Sequence, residues 1–463
     1  MTDLVTDIAG FAGTVIKPGD AAYDEARTVF NAMIDRRPAL IARCTSAEDV
    51  AAAVRHARAT GLEVSVYGGG HGVTGAAVCD GGLCIDLRGL KSISVDPDQR
   101  LVRAGGGLTW GEFDAATQEH GLAVTGGRVP TTGIGGLSLG SGSGWLERAF
   151  GFTCDNLVEA EVVTAAGEIV TASSTVNPDL FWALRGGGGN FGIVTTFTLR
   201  LHPVGPIVFG GMLVFPGFRG AEVLRAYRDF VAKAPDEVGS GLAFITAPPE
   251  EFVPEPARGQ PAIGIICCYA GNPDDGPAAY APLIALEPAV TMVQPMPYVA
   301  LQAIIEPGNP KGLRNYWTAD FYDDLPDEAV DTLVALAGQP VSPFTQVIVV
   351  PGGGAISRVD DEATAFGSRH AAFNIHYLSL WADPAEDERN IDYTRRLAGS
   401  MKPWSTGAVY LNFLGDEGRS RIEAAFGSEK LAKLQRIKAE WDPDNVFHNN
   451  QNIPPSPAVP PQR

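Results

Sequence analysis

A histidine set inside a run of glycines, Tyr67-Gly68-Gly69-Gly70-His71-Gly72, is the first place where this chain could do chemistry. Glycine this dense gives up side-chain packing and costs backbone entropy, so the run needs a reason. Consecutive glycines let successive N–H groups converge on an anion, and they let a backbone come close to a planar ligand. Two more clusters follow, one with Gly133, Gly135, Gly136, Gly140, Gly142 and Gly144, the other Gly186 to Gly192 around Asn190. They lie roughly 55 to 65 residues apart, too irregular for a solenoid repeat. Three such loops imply a large phosphate-bearing cofactor bound along its length; ordinary tight turns are the alternative. None has the strand, helix and acidic residue that the G-x-G-x-x-G fingerprint needs, and G-x-x-x-x-G-K-[S/T] is absent. A second candidate is the stretch Phe373-Asn374-Ile375-His376-Tyr377. Strand alternation puts Asn374 and His376 on one face, and an imidazole titrating near neutrality is a possible base. The other five histidines lack metal-ligand spacing, so no metal is expected, and no Ser-His-Asp assembly is visible.

Helices and strands alternate through the first 200 residues. Thr45-Ser46-Ala47-Glu48 reads as a capping box opening a helix that ends at Gly61. Strands are expected over 62–67, directly before the first glycine loop, and over 83–88 and 101–106. Thr109-Trp110-Gly111-Glu112 is a second capping box. Residues 159–173 read as a hairpin turning near Gly167, and the second glycine cluster should precede a helix. From 206 to about 405, longer alternating segments such as 344–350 and 372–381 suggest an antiparallel sheet covered by helices. A helix over 428–443 gathers Leu431, Leu434, Ile437, Lys438 and Trp441 on one face, before a proline-rich tail expected to fray.

The bulk numbers narrow the function classes. With 463 residues the chain should form two or more domains. Its 35 basic and 54 acidic residues give a net charge of −19, which argues against nucleic-acid and membrane partners. The start lacks a basic, apolar leader, and no stretch reaches the roughly 20 apolar residues of a spanning helix. Six scattered cysteines read as buried thiols in a reducing, hence cytoplasmic, compartment. Adjacent Cys267 and Cys268 should point to opposite faces of a strand.

Taken together, the three glycine loops resemble the FAD-binding domain of the vanillyl-alcohol oxidase and p-cresol methylhydroxylase superfamily. Residues 373–381, 410–413 and 434–453 are similar to the closing signature of its berberine-bridge-enzyme-like branch. The resemblance implies an α+β fold. A two-subdomain FAD-binding domain of the p-cresol methylhydroxylase type would span 1–205, a substrate domain 206–404, and a segment 405–463 would return to the FAD domain. It also implies that His71 is bonded covalently to the 8α-methyl of the flavin. The remaining cofactor contacts would fall on Gly68, Gly69, Gly70, Gly72, Val129, Thr131, Thr132, Gly133, Gly135, Gly136, Gly140 and Gly142. Asn190, Gly192, Ile193, Val194 and Asn450 would complete them. Many members add a cysteine tether where this chain has Val129, so a single covalent bond is expected. Thr132 would neighbour the site where O₂ approaches.

In the family a Y-x-N tyrosine often serves as base, here Tyr410 with Asn412. Relatives often place lysine and glutamine where Asn374 and His376 stand, so the cation expected to help the tyrosine is missing, and His376 is the competing base. Residues 351–358, where some plant members carry a catalytic glutamate, hold no carboxylate. Trp317, Phe321 and Tyr322 are candidates for the substrate pocket or the core. The expected activity is an FAD-dependent oxidase removing hydride from a C–H next to O or N of a small to medium organic substrate. O₂ would accept the electrons, giving H₂O₂, in a monomer or homodimer. Oxidative cyclisation with the same flavin and ligand sequestration without turnover are the alternatives.

Overall fold

The computed structural model describes residues 7–251, 253–415 and 418–457; the end of the proline-rich tail lies outside them. Among the described residues three main sheets organise the fold, beside a two-stranded pair of Leu122–Ala123 with His202–Pro203. The first is small and mixed, ordering Thr14–Ile16, Leu40–Arg43, Leu83–Asp86 and Val64–Tyr67. The helix Ala47–Thr60 packs on it through Val50, Ala53, Val54 and Ala57. Its cap is Ser46, whose hydroxyl accepts from Asp49 N, and the chain leaves through Gly61 at φ 67°. The capping box expected from Thr45 to Glu48 does not form, and the cap falls one residue later, on Ser46. Thr45 serves instead by donating its N–H and hydroxyl to Asp49. The second box, Thr109 with Glu112, forms as expected.

The second sheet is antiparallel, in the order Ile93–Asp96, Leu101–Gly105, Ile193–Arg200, Leu157–Val163 and Ile169–Ser173. Its core joins Val102, Phe197 and Leu199 to Leu411, Leu434 and Ile437 from the end of the chain. The closing helix Arg419–Trp441 is broken at Gly427, where φ is 72°. The second glycine cluster contains a short helix, Ile134–Leu139, capped by Gly133, and also precedes one, Glu147–Phe150.

The third sheet has seven antiparallel strands: Val290–Pro297, Ile207–Pro216, Pro261–Tyr269, Val238–Thr246, Gln346–Pro351, Phe373–Trp381 and Arg314–Tyr322. Because side chains alternate, the sheet has two distinct faces. Leu242, Ile265, Val347, Val349, Ile375 and Tyr377 pack beneath the helices Gly220–Val231, Asp327–Ala337 and Asp387–Met401. Met212, Ala243, Ile266, Ile348, His376 and Leu378 face a large cavity instead. Cys267 joins the helix-covered core and Cys268 a separate cluster on the other face, as alternation requires. No described helix is long and apolar enough to cross a membrane.

Candidate active site

The cavity has a volume of about 1060 Å³, at the upper limit of the usual range for ligand pockets. One wall is built from the glycine loops. The first follows the strand Val64–Tyr67 and contributes Gly68, Gly69, Gly70, His71 and Gly72. The second contributes Val129, Thr132, Gly133, Gly135 and Gly136, and the third Gly192, Ile193 and Val194. Asn450 joins them from the end of the chain, and His376, Tyr410 and Asn412 border the same space.

Five expected site residues lie outside this wall. Thr131 stands behind His71, its hydroxyl 3.0 Å from Nε2. Gly140 lies against the Asn412 side chain, and Gly142, at φ 83°, against Thr153. Asn190 fixes its own loop, donating to Gly187 O and Gln451 O and accepting from Ile453 N. Asn374 donates to Asp320 O and borders a smaller space beside Tyr410. Of the three aromatic candidates, Trp317 lines the large cavity, Phe321 packs on Tyr410, and Tyr322 is core.

Two observations test whether a phosphate-bearing planar cofactor fits. The backbone N–H groups of Gly69, Gly70, His71 and Gly72 meet no acceptor among the described residues. Buried backbone donors are nearly always paired; Gly70 is buried and Gly69 and His71 are half-buried, so these free donors on a cavity suit an anion. Five polar atoms on residues that line the cavity, Arg128 Nε, Trp145 Nε1, Trp317 Nε1, Thr345 Oγ1 and Asn450 Oδ1, are buried without a described partner. The residues present fit FAD, and the cavity has one half lined by the glycine loops and another lined by the third sheet.

His71 stacks on Phe30, ring centroids 4.3 Å apart, with Nδ1 3.4 Å from Thr132 Oγ1. Burial, helped by the charge of Lys311, lowers its pKa to about 4. It is therefore a neutral imidazole at neutral pH, with a threonine hydroxyl beside each ring nitrogen. The Tyr410 oxygen accepts from Ser143 N at 3.0 Å, Asn412 Nδ2 at 3.2 Å and Ser141 Oγ at 3.4 Å. Burial raises its pKa, and the donors act the other way. His376 lies parallel to the Tyr410 ring, centroids 6.1 Å apart, and against Phe413 at 4.2 Å. Burial, with the charge of Arg128, pushes its pKa well below the usual imidazole value. The expectation that it titrates near neutrality is overturned, because alternation gives a face and says nothing of desolvation.

Sequence reasoning missed a buried ion pair, Arg128 with Glu147 at 3.2 Å. Arg128 lines the cavity and its guanidinium lies over Trp145, 4.7 Å from the ring centroid. An arginine directly after Gly127 in an otherwise uncharged stretch was the available signal.

Comparison with known proteins agrees with this geometry. Residues 38–173 match the FAD binding domain family, and residues 409–454 the berberine and berberine-like family. An uncharacterised FAD-linked oxidoreductase of Bacillus subtilis (strain 168), YgaK, is 30 % identical over 452 residues, 96 % of this chain and 97 % of that one. (R)-6-hydroxynicotine oxidase of Paenarthrobacter nicotinovorans is 31 % identical over 468 residues, again 96 % and 97 %. The crystal structure of 6-hydroxy-D-nicotine oxidase from Arthrobacter nicotinovorans superposes with a TM-score of 0.87 at 27 % identity, covering 97 % of this chain and 99 % of that one. The glycine-lined wall, the closing segment around Tyr410 and this likeness over nearly the whole length make the chain a member of the FAD-linked oxidoreductases, in their berberine-bridge-enzyme-like branch.

Proposed function

We infer that the protein is an oxidase whose flavin is held by one covalent bond through His71, and whose base is Tyr410. The observation that carries the reading is the Tyr410 oxygen, set on the cavity wall and met by three donors. Bound FAD supplies the hydride acceptor for oxidation of a C–H next to O or N. The first glycine loop and Asn450 would hold its phosphates and polar edge, and Thr131 and Thr132 orient the His71 ring. Val129 offers no thiol, so a second tether is not available. Tyr410 takes the O–H or N–H proton of the substrate, and Ser143 N–H, Ser141 and Asn412 stabilise charge on its oxygen. His376, neutral and packed on Phe413, positions that ring rather than competing for the proton.

Met212, Ile245, Ile266, Ile348 and Leu378 cover the substrate half, which suits an apolar small molecule with one oxidisable group. O₂ is the electron acceptor, giving H₂O₂. The glycine loops up to about residue 205 and the segment after 404 form the FAD region, with residues 206–404 over it. Six free, buried cysteines suit a reducing compartment such as the cytoplasm.

Acid denaturation tests the central assignment. The yellow colour should stay with precipitated wild-type protein, on the His71 peptide alone, and His71→Ala should release it to the supernatant. Full loss of flavin from wild type would overturn the tether. Turnover of an apolar alcohol or amine without H₂O₂ would overturn O₂ as acceptor.

A further inference from the structure

Tyr410 accepts three hydrogen bonds, yet a neutral phenol also carries a proton of its own. A base that begins as a phenol must hand that proton on before it takes one from substrate. Beside it lies a second space of about 30 Å³, bordered by Tyr410, Ser143, Glu147, Asn374, Phe152 and Phe321. That volume holds about one water, provided two to four polar groups surround it. Tyr410, Ser143, Glu147 and Asn374 supply them.

Glu147 is 4 % exposed and opens the short helix Glu147–Phe150. Its Oε2 accepts from Ser143 Oγ and from Gly144 N at 3.0 Å, and its Oε1 from Arg128 Nη2 at 3.2 Å. Ser143 thus touches both groups, through N–H to Tyr410 and through Oγ to Glu147. The pairing with Arg128 does not need this arrangement. It leaves a carboxylate and a phenol sharing one water-sized space.

We propose that Glu147 receives the Tyr410 proton through a single water in this space. The Tyr410 O–H bond breaks as the water gains that proton, and a water O–H bond breaks as a Glu147 oxygen gains one. The water is regenerated, and the negative charge moves from Glu147 to Tyr410. The phenolate then takes the substrate proton, leaving Tyr410 neutral and Glu147 protonated. Burial raises the pKa of Glu147, against the opposing Arg128 charge and Ser143 and Gly144 donors, which makes it a better acceptor than an exposed glutamate. Glu147 acts through Tyr410 and is a positioning residue.

Other titratable groups face this pair. Arg128 is paired with Glu147, and Arg148 is occupied by Gly352 O and Ala234 O. His376 is neutral, and Tyr227 is bonded to Ser240. The pH profile of proton removal is therefore set by Glu147 and Tyr410.

The inference rests on Tyr410 as the base, and the two fail separately. In the holoenzyme, Glu147→Gln should slow flavin reduction about 10-fold or more at neutral pH, with KM unchanged. The rate should recover at alkaline pH, where hydroxide removes the phenol proton, and Glu147→Asp should restore part of it at neutral pH. Infrared difference spectra of substrate-reduced against oxidised wild type should show a protonated-carboxyl band that shifts with isotope-labelled glutamate. That reading needs no variant to fold. A wild-type rate and pH profile in Glu147→Gln, or no such band, overturns the relay. If Tyr410→Phe is itself unimpaired, the base assignment fails and takes the relay with it.

Discussion

Replacing Lys438 with methionine should destabilise the protein by about 3–5 kcal/mol and loosen its hold on flavin. The Lys438 side chain is 0 % exposed, as is that of its partner Asp442, 2.6 Å away. Its ammonium also donates to Asn190 O at 2.7 Å and Phe447 O at 3.0 Å. Methionine keeps most of the volume, so the loss is electrostatic. Asp442 retains the backbone donors of Val446 and Phe447 but becomes a buried charge without its cation. Two carbonyls also lose a donor, at about 1–3 kcal/mol each where water cannot replace it. Against this, burial lowers the Lys438 pKa, a desolvation cost that the variant escapes, and the expected total moves to the low end, about 3 kcal/mol. The damage should reach the site. Asn190 anchors the loop of Gly188, Gly189 and Gly192, which line the cavity together with Phe447. Urea midpoints and the flavin-to-protein absorbance ratio read the two effects. Adding Asp442→Asn should recover part of the stability, because neither member then remains as a lone buried charge. A Lys438→Met protein within about 1 kcal/mol of wild type and fully loaded with flavin would refute the reasoning.

Tyr410→Phe should slow anaerobic flavin reduction by roughly 10²–10⁴-fold in stopped-flow measurements, the usual share of a general base. His376→Gln should cost about 10-fold or less, because its ring is neutral and packs on Phe413; a reversal of the order would make His376 the base. Burial raises the pKa of Asp114 to about 7, with only Gln302 opposing. The folded state therefore binds a proton there that the unfolded chain has released, and wild type loses stability as pH rises from about 4 to 7. Asp114→Asn should gain on wild type over that window, by up to about 1.4 kcal/mol per pH unit, then level off; equal pH slopes in urea titrations would contradict this. A Cβ on Gly72 or Gly136 meets nothing within 4 Å. Alanine at either should leave the melting temperature nearly unchanged while lowering flavin content, and a melting loss as large as that of Gly133→Ala would count against it.

The parts of this fold that depend on local chemistry were legible in the sequence. Period-two alternation over 373–381 assigned Ile375 and Tyr377 to one face and His376 to the other, and the sheet obeys it. Thr109 and Glu112 formed their box because both partners lie within one turn. The Ser46 cap was misplaced by one residue because Asp49 captured Thr45, a choice that adjacent Thr and Ser leave open. Groups defined by distant partners were not legible. The Tyr410 hydroxyl meets Ser143 N across 267 residues, and Arg128 meets Glu147 with no motif to announce it. The burial that holds His376 neutral comes from tertiary packing, which no spacing encodes.

The glycines that first drew notice to a cofactor serve two ends, and the structure separates them. A Cβ on Gly69 would strike the backbone of Gly133, and one on Gly133 the backbone of Gly69, so these two are glycine because the first and second loops touch. Gly140 is glycine because Asn412 occupies the space a side chain would need. Gly72 and Gly136 face open cavity and are free of such demands. The contact between loops presents the free N–H groups beside His71, while the close packing of Gly140 lets Asn412 donate to both Leu137 O and Tyr410. Glycine density thus couples the cofactor wall to the candidate base: Gly72 and Gly136 leave the wall open, while Gly140 makes room for the Asn412 that reaches Tyr410.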